Sequence, residues 1–551
     1  MVPTSTAGIS RCTQGSDPVD FAAGTAAEGR PAAPRPSSKD PHVAKSAPRP
    51  PKTDDDVDFA VPLKDAVDPL VLALDVGSTA TRGSLHDATG TPVRGYRDKI
   101  PHHFTTAVDG TSTIDPDQVV EELCRLIDQI IGSRQELVGR VGGVGIDTFA
   151  SSLVGTDSRR RATTTCYTYA DSRSSGQLAA LRQEVDEAEI QQLTGTRLHT
   201  SYLTPRFRWL RETEPEAFAA TTRWMSLGEY FHLRLLGKAR VGTSTAAWTG
   251  LLDRRTGDWS DRMLELAQVE RESLSLIARP NQPIREVPPA VAERWPALRQ
   301  AKWFAPVADG LSANVGSGGR DATTMVTSMA TSGAMRVLLH EQPETIPSGL
   351  WCYRIDDTRC LLGGAINDAS RAVTWAEETL RLPEDLSPED VAQRPIDPTT
   401  PLVLPFLTGE RSTGWMGDAR AAVLELSAAT SPEDILRGVM EGVVAAYGRV
   451  AQQLTEASGE VERLVTAGGM TQSVPGLQQQ LSDLLGRSAV QATFKRSTLR
   501  GTAMLASEVL SPDFEPVDPP YAHTFDPNPE VREHWDRVAE RFQEAYEGLY
   551  A

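Results

Sequence analysis

The sequence lacks an excess of basic residues, a paired-cysteine motif and a long apolar run. Its 56 Lys and Arg residues are outnumbered by 74 Asp and Glu residues, which gives a net charge of −18. This balance argues against a nucleic acid or an anionic membrane surface as the main partner. An anionic ligand would therefore need local backbone amides and a few well-placed cations.

Cysteine and histidine usage excludes two further classes of site. The five cysteines form no CxxC pair and no plausible disulfide framework, so we interpret them as structural thiols in a reducing compartment. His102 and His103 are adjacent rather than one helical turn apart, and the nine histidines show no metal-ligand spacing. The sequence has no apolar run of eighteen residues and no apolar secretion segment at its start. We therefore expect a cytoplasmic protein without a membrane span.

Length and composition divide the chain. At 551 residues it is too long for one hydrophobic core, so at least two domains are expected. Residues 1–68 are rich in proline, serine, alanine and charge and poor in large apolar residues. Such a segment buries too little surface to offset its ordering entropy. We predict a disordered tail over residues 1–68: a solvated extension, an upstream-start artefact or, near Pro48, a polyproline ligand.

Residues 70–87 have the pattern of a strand, a tight turn and a second strand. An apolar run ends at Asp75 and is followed by the small residues Gly77, Ser78 and Thr79. The glycine lets the backbone approach an anion, and the serine and threonine can donate to phosphate oxygens. Asp75 at the strand end can face a hydrated Mg²⁺. The alternative is an ordinary hairpin with a small-residue turn.

The first half of the chain contains three short motifs in order: DVGSTATR at residues 75–82, YADSR at residues 169–173 and RFRWL at residues 206–210. They resemble the D-x-G-T-T-x-T-K, W-x-D-x-R and K-x-x-W-L motifs of the FGGY family of carbohydrate kinases, within the sugar kinase, actin and Hsp70 superfamily. The first motif implies that Thr81 and Arg82 also belong to the phosphate site.

The second half continues the resemblance in the same order. ADGLSAN at residues 308–314 resembles the G-D-x-x-A segment that carries the family's catalytic base, and ATSGA at residues 330–334 is similar to its second phosphate motif. TGERSTGW at residues 408–415 is close to G-E-R-x-P-x-W, and TAGGMTQS at residues 466–473 resembles the adenosine motif. The resemblance implies nucleotide contacts at Thr331, Ser332, Gly333, Gly468, Gly469, Met470 and Ser473.

The resemblance implies an α/β fold with two ribonuclease H-like, or actin-like ATPase, domains and an active-site cleft between them. It covers roughly residues 70–550. We place an N-terminal sugar- and phosphate-binding domain at residues 69–304 and a C-terminal nucleotide-binding domain at residues 305–551. The implied cofactors are ATP and Mg²⁺, with Asp75 facing the metal. The oligomeric state stays open, with a homodimer as one alternative.

Five residues are candidates for the acceptor site. Asp309 is the candidate base, which would orient and deprotonate the substrate hydroxyl; its alternative role is a helix N-cap. Asp171 and Arg173 are candidates for the sugar cleft, with a structural ion pair as the alternative. His199 is a further candidate, although a lone loop histidine is commonly hydrogen-bonded support. Ser151 falls where many sugar kinases carry a histidine or an acidic residue.

Two segments bear on the substrate. GLWCYR at residues 349–354 and LGGAINDA at residues 362–369 resemble the gluconokinase branch, which implies phosphorylation of D-gluconate to 6-phosphogluconate. Ser151, Gly242 and Ala330 depart from the family pattern, so xylulose, ribulose and other polyols remain alternatives. Ala330 is compatible with its turn only at negative φ. A non-catalytic sugar sensor is an alternative of another class, while an actin-like or Hsp70-like switch is disfavoured by the GER and YADSR segments.

Overall fold

The computed structural model describes residues 59–132, 134–459, 461–511 and 513–550. The predicted tail as far as residue 58 lies outside the described residues. Residues 59–68, which we assigned to the tail, pack against the first sheet: Val61 forms a bridge with Val93, and Arg140 donates to the carbonyl oxygens of Leu63 and Ala66. The prediction of disorder is therefore wrong for these ten residues. Composition alone does not reveal that a segment has packing partners 30 to 80 positions away in the sequence.

The chain up to residue 308 builds one large sheet, several small ones and the helices around them. Its strands are β1 (Leu70–Val76), β2 (Ala80–His86), β3 (Pro92–Pro101), β4 (Thr105–Thr106), β5 (Ser112–Ile114), β6 (Val141–Thr148), β7 (Val154–Thr156), β8 (Cys166–Tyr167), β9 (Arg223–Met225), β10 (Val241–Gly242), β11 (Leu252–Asp253), β12 (Asp258–Trp259), β13 (Ile277–Ala278), β14 (Lys302–Trp303) and β15 (Val307–Ala308). Its helices are α1 (Pro116–Ile130), α2 (Ser175–Glu184), α3 (Glu187–Thr194), α4 (Leu203–Thr213), α5 (Pro215–Ala220), α6 (Leu227–Leu236), α7 (Thr243–Ala247), α8 (Asp261–Ala267) and α9 (Pro289–Arg294).

The rest of the described chain builds a second large sheet. Its helices are α10 (Asp309–Gly316), α11 (Ser370–Thr379), α12 (Pro388–Ala392), α13 (Pro432–Ser458), α14 (Gly469–Ser473), α15 (Gly476–Leu485), α16 (Ser497–Leu510) and α17 (Arg532–Tyr550). Its strands are β16 (Thr324–Met329), β17 (Gly333–Leu339), β18 (Trp351–Arg354), β19 (Cys360–Ile366), β20 (Leu402–Leu404), β21 (Ala422–Leu424), β22 (Arg463–Ala467), β23 (Ala489–Ala492) and β24 (Tyr521–Phe525).

The first large sheet has the strand order β14-β6-β1-β2-β3, and β15 also pairs with β6. Strand β1 is apolar up to its penultimate residue and buried throughout, as expected for a strand covered on both faces. It pairs antiparallel with β2 and parallel with β6, and this register places Asp75 beside Asp147. Strand β15 is parallel to β6 and ends one residue before Asp309. Three carboxylates therefore reach the same edge of the sheet.

The second large sheet repeats this arrangement, with the order β18-β19-β17-β16-β22-β23-β24. Strands β16 and β17 form an antiparallel hairpin, and β22 runs parallel to β16, just as β6 runs parallel to β1. The turn at residues 330–332 therefore occupies the position that residues 77–79 occupy in the first sheet. Two mixed sheets of one design, each flanked by helices, confirm the predicted fold class.

Helices α10 and α16 cross at close range beneath the first sheet, and α16 packs on β1 and β6. A Cβ added to Gly316 would lie 1.8 Å from the carbonyl oxygen of Ser497, and one added to Gly501 would lie 1.9 Å from that of Ser312. Only glycine permits this crossing. The first sheet thus continues to residue 308, past our predicted boundary at 304/305, and takes a helix from the far end of the chain.

Each large sheet has its own apolar core, and the core of the second is built around the long helix α13. A third cluster joins apolar side chains from both halves, including Trp248, Leu338 and Trp351. Among the described residues, no helix combines the length and the apolar character needed to cross a bilayer. The cysteines in this part of the chain are free thiols.

Candidate active site

The first predicted phosphate turn lies between β1 and β2, with Ser78 and Thr79 exposed at its tip. Arg82 donates from Nη1 to Oδ2 of Asp75 at 2.9 Å. A Cβ on Gly77 would lie 2.8 Å from the same Nη1 atom, so the guanidinium covers the glycine. Exposed amides and a neighbouring cation therefore surround a space suited to an anion.

Thr81 lies below the turn and does not face it. Its buried hydroxyl donates to Oε2 of Glu122 at 2.6 Å, and Nδ1 of His102 lies 2.8 Å from the same oxygen. Nε2 of His102 in turn lies 2.8 Å from the carbonyl oxygen of Gly77. We expected Thr81 to contact the nucleotide; instead it supports the turn from beneath, because strand alternation directs its side chain into the core.

Asp147 belongs to the site although we did not predict it. It is fully buried, and Thr502 of α16 donates to its Oδ2 at 2.6 Å, while its Oδ1 has no hydrogen-bond partner in the described structure. Burial and the neighbouring carboxylate of Asp75 raise its pKa. Its signal was the same as that of Asp75, an aspartate at the end of an apolar strand.

Asp75 and Asp147 fit a Mg²⁺ ion that arrives with phosphate. The described residues contain no group of three or more His, Cys, Asp or Glu side chains that would hold a metal unaided. Mg²⁺ in phosphoryl-transfer sites commonly takes one or two carboxylates and completes its shell with water and phosphate oxygens. The partnerless Oδ1 of Asp147 is the acceptor that such an ion, or a water bound to it, would satisfy.

Asp309 is the first residue of α10, and Ala308 holds the N-cap position, so the capping alternative does not apply. The backbone N–H of Gly310 donates to its Oδ1 at 2.8 Å. Burial and the nearby carboxylate of Asp75 raise the pKa of Asp309 to about 6, against the opposing effect of Arg336. A carboxylate with a pKa near neutrality has the proton affinity that a general base requires.

An aromatic and cationic cluster adjoins Asp309, and we take the space beside it as the candidate acceptor pocket. A Cβ on Gly310 would lie 3.3 Å from the Trp248 ring and 3.7 Å from Nη2 of Arg336. The Trp248 ring stacks on Tyr353 at 3.7 Å, and the hydroxyls of Tyr353 and Tyr202 are 2.7 Å apart. Sequence reasoning missed these residues because isolated aromatic and arginine residues carry no motif.

Three predicted substrate residues have structural partners within the protein. The hydroxyl of Ser151 donates to the carbonyl oxygen of Trp248 at 2.6 Å, so it holds the pocket wall. Arg173 donates from Nε and Nη2 to Asp171, and its guanidinium lies 4.3 Å from the centre of the Trp209 ring. Because their charges and hydrogen bonds are satisfied by each other, the structural ion pair that we weighed as the alternative describes them better.

His199 retains a free proton for a ligand. Its Nδ1 accepts from the backbone N–H of Ser201 at 3.1 Å, so the neutral ring carries its proton on Nε2. Burial and the charge of Arg411 lower the pKa of His199 to about 3. The ring is therefore an uncharged hydrogen-bond donor near neutral pH.

The second predicted phosphate turn is held by α11. The backbone N–H of Ser370 donates to the carbonyl oxygen of Ala330 at 2.9 Å, and Thr331 and Ser332 are exposed. The φ angle of Ala330 lies outside the positive range, so the alanine is accommodated as expected. A Cβ on Gly333 would lie 1.8 Å from the hydroxyl oxygen of Tyr447, so this glycine makes room for a tyrosine and does not itself reach the turn's surface.

A pocket of about 290 Å³ opens beside this turn. Gly468 precedes the lining residue Gly469 and packs tightly on β16: its φ is 113°, and a Cβ there would lie 2.2 Å from the carbonyl oxygen of Met329. The pocket thus joins the second phosphate turn to the predicted adenosine motif. Its lining includes the predicted residues Thr331, Gly469, Met470 and Ser473, together with Ser370 and Glu377 of α11.

Family models match both halves of the chain. The N-terminal domain of the FGGY family of carbohydrate kinases matches residues 70–316, and its C-terminal domain matches residues 325–508. The chain belongs to the FGGY family. This FGGY kinase is accordingly a phosphotransferase with an alcohol group as acceptor, from a family that uses ATP and acts on small carbohydrates.

Relatives of this FGGY kinase include two substrate classes. The gluconokinase of Bacillus subtilis (strain 168) is 23% identical over 449 residues, which cover 79% of this chain and 86% of the relative. The xylulose kinase of Lactococcus lactis is 23% identical over 511 residues, which cover 86% and 96%. The crystal structure of gluconate kinase from Lactobacillus acidophilus superposes with a TM-score of 0.80 at 25% identity, covering 88% of this chain and 98% of that one.

Proposed function

We propose that this FGGY kinase transfers the γ-phosphoryl group of ATP to the terminal hydroxyl of D-gluconate, giving 6-phosphogluconate and ADP. The observation that carries the reaction is Asp309, a carboxylate with a pKa of about 6 that lies close to Asp75 of β1 and beside the aromatic and cationic cluster. The gluconokinase relatives and the gluconate kinase structure support the choice of substrate.

Asp309 acts on the acceptor hydroxyl. Its carboxylate accepts a hydrogen bond from that hydroxyl and takes the proton as the oxygen bonds to the γ-phosphorus. The bond from the γ-phosphorus to the bridging oxygen breaks, and ADP leaves with that oxygen. The backbone N–H of Gly310 donates to Oδ1 of the carboxylate, and the substrate hydroxyl would donate to one of its remaining lone pairs.

The two turns hold the phosphates. The amides and hydroxyls of Ser78 and Thr79 on one side, and of Thr331 and Ser332 on the other, donate to phosphate oxygens, with Arg82 adding positive charge. Asp75 and Asp147 would hold Mg²⁺, which supplies charge neutralisation on the transferred group when bound. The adenosine lies in the 290 Å³ pocket against Gly469 and Met470.

Xylulose is the second candidate acceptor. The xylulose kinase relatives match at identities close to those of the gluconokinases, and a xylulose kinase structure from Lactobacillus acidophilus also superposes with a TM-score of 0.80. Sugar kinases share their phosphate sites and differ in a few side chains around the acceptor.

The test is ADP release with Mg²⁺-ATP across gluconate, xylulose, ribulose, ribitol, glycerol and erythritol, with a no-sugar blank. We expect the highest kcat/KM with gluconate. A higher value with xylulose or a polyol would refute gluconate and keep the kinase. No response to any acceptor, with ATP binding intact, would favour the non-catalytic sensor.

A further inference from the structure

Two arginines beside the acceptor pocket form no ion pair among the described residues, although the carboxylate of Asp309 lies close enough to Arg336 to interact with it electrostatically. The side chains of Arg336, on β17, and Arg411, in the loop after β20, make no hydrogen bond and have no carboxylate within 4 Å among the described residues, and the Nε atom of each is buried. Fully buried arginines in the described part of the chain have partners for their terminal nitrogens: Arg254 donates to three carbonyl oxygens, and Arg206 and Arg500, whose Nε atoms are also unpaired, donate from Nη1 and Nη2. Both side chains beside the pocket are half-buried, and a buried guanidinium nitrogen without a partner is costly unless a ligand supplies one.

The nearest acidic side chain in sequence does not neutralise Arg411. Glu410 is directed away from the pocket, since its Oε1 accepts from Arg449 at 3.0 Å and its Oε2 accepts from the hydroxyl of Tyr546 at 2.7 Å. The adjacent Ser412 seats the loop on β19, where its hydroxyl oxygen accepts from the backbone N–H of Ala365 at 3.0 Å. The carboxylate of Glu410 is thus adjacent to Arg411 in sequence but is already hydrogen-bonded to Arg449 and Tyr546.

Arg336 lies on β17, and Arg411 lies in a loop that packs on the adjacent strand β19. Strand β19, on which the Arg411 loop packs through Ser412, pairs directly with β17, and this register sets Arg336 opposite Gly363. A Cβ on the next residue, Gly364, would lie 2.9 Å from the Ser412 hydroxyl oxygen, so the glycine pair lets the loop approach the sheet. Arg336 then extends to within 3.7 Å of the Cβ position of Gly310, beside the candidate base.

We propose that Arg336 and Arg411 bind the carboxylate of the acceptor, which makes this kinase selective for sugar acids over neutral sugars. The inference rests on the proposed function and deepens it. Apart from Asp309, the pocket has tyrosine hydroxyls and the neutral His199 beside these two cations, so an anionic acceptor balances its charge. Guanidinium groups match carboxylates in planar, bidentate geometry.

The experiment compares an acid with a neutral acceptor of the same length. D-gluconate and D-glucitol have the same carbon number and differ at C1, where a hydroxymethyl group replaces the carboxylate. Steady-state kinetics at saturating Mg²⁺-ATP are measured for the full chain and for Arg336→Gln, Arg411→Gln and their lysine counterparts. Arg279→Gln is the matched control, since Arg279 pairs with Asp357 and has no place in the pocket.

We expect each glutamine variant to raise KM for gluconate about 10- to 100-fold, the loss expected for a charged hydrogen bond. The ratio of kcat/KM for gluconate to kcat/KM for glucitol should fall by a similar factor, and the lysine variants should recover part of that ratio. An equal loss of kcat with both acceptors would instead place the arginines at the transferred phosphoryl group and overturn the proposal. Unchanged gluconate kinetics would overturn it as well.

Calorimetric binding of gluconate, without nucleotide, covers the case in which glucitol is too poor a substrate to compare. The glutamine variants should weaken gluconate binding by the same factor while ADP binding stays intact, and unaltered gluconate binding would refute the proposal. If the wild type prefers a five-carbon aldonate to gluconate and the variants lose that preference, gluconate is refuted as the substrate. The proposed role of the two arginines is then kept. If the wild type prefers gluconate and the variants do too, the inference alone falls.

Discussion

The Nε2 atom of His102 lies 2.8 Å from the carbonyl oxygen of Gly77, in the first phosphate turn, and Nδ1 of the same ring lies 2.8 Å from Oε2 of Glu122. Both side chains are buried. Burial alone would lower the pKa of His102, but the hydrogen bonds with Glu122 and Gly77 outweigh it and raise that pKa. A protonated ring, with an acceptor at each nitrogen, therefore ties the turn to α1.

His102→Gln should loosen this connection. We expect the free energy of unfolding to fall by about 3 kcal/mol at pH 5.5, the usual cost of breaking a buried charged pair, and KM for ATP to rise as Gly77 loses its support. Chemical denaturation and ATP kinetics measure the two effects. His103→Gln is the control, since His103 is exposed, and an equal effect from it would contradict the account.

The pH dependence of this effect has a defined sign. The stabilisation from His102 is fully present below its ordinary pKa of 6.5 and is lost as the pH rises through the raised folded value. The pKa of Glu122 is lowered from 4.5, so its contribution is lost as the pH falls. The melting temperatures of the wild type and His102→Gln should therefore differ most between pH 4.5 and pH 6.5, the ordinary pKa values of Glu122 and His102, and should converge at high pH. A constant difference up to pH 9 would refute the charged pair.

The pKa of Asp309 should set the acid limb of the pH profile of kcat/KM. Because the base must be ionised, kcat/KM should fall about tenfold per pH unit below a pKa of about 6. The positive charge of Arg336 holds that pKa down, so Arg336→Leu should move the limb to higher pH. A profile that stays flat to pH 5 in the wild type would exclude Asp309 as the base.

Gly469 offers a test of the nucleotide pocket. A Cβ at this position meets no atom within 4 Å, and the residue lines the 290 Å³ pocket. Gly469→Leu should therefore fold normally and raise KM for ATP about tenfold or more by filling the pocket. Gly468→Ala should behave differently, because its φ of 113° and the carbonyl oxygen of Met329 oppose any side chain; there we expect a loss of stability. Unchanged ATP kinetics in Gly469→Leu would place the adenosine elsewhere.

Replacing glycine by alanine should have opposite effects on stability at the crossing of α10 and α16 and on the surface of α17. Gly501→Ala forces a methyl group against the carbonyl oxygen of Ser312, and we expect a loss of about 1–3 kcal/mol in the free energy of unfolding. Gly548→Ala is the matched control: it lies on the exposed side of α17 with open space around it, and better helix propensity should stabilise by up to about 1 kcal/mol. Thermal unfolding of both variants checks the pair.

The site residues that belong to short local motifs could be predicted from the sequence. Asp75 lies at the end of β1 and Asp309 follows β15, Gly77 stands in the turn between β1 and β2, and Gly468, with a φ of 113°, precedes α14. The positions of these residues are set by local backbone structure, which a motif of a few residues determines.

The parts that depend on distant partners were not predictable. Thr502 reaches Asp147 across 355 positions of sequence, and Arg411 is left without a counter-charge only because Glu410 is engaged by Arg449 and a tyrosine. The internal hydrogen bonds of Thr81 and Ser151 were not predictable for the same reason. Their polar groups satisfy the protein's own backbone and side chains, and no local pattern distinguishes such a group from one that waits for a ligand.

The most direct test of the central claim is Asp309→Asn, assayed for phosphoryl transfer from Mg²⁺-ATP to gluconate, with gluconate binding measured alongside. Asparagine keeps the shape of the side chain and loses the proton-accepting charge. We predict a fall in kcat of about 10²-fold or more with gluconate affinity largely kept. An unchanged kcat would contradict the account, because the hydroxyl proton would then leave by a route that does not involve Asp309.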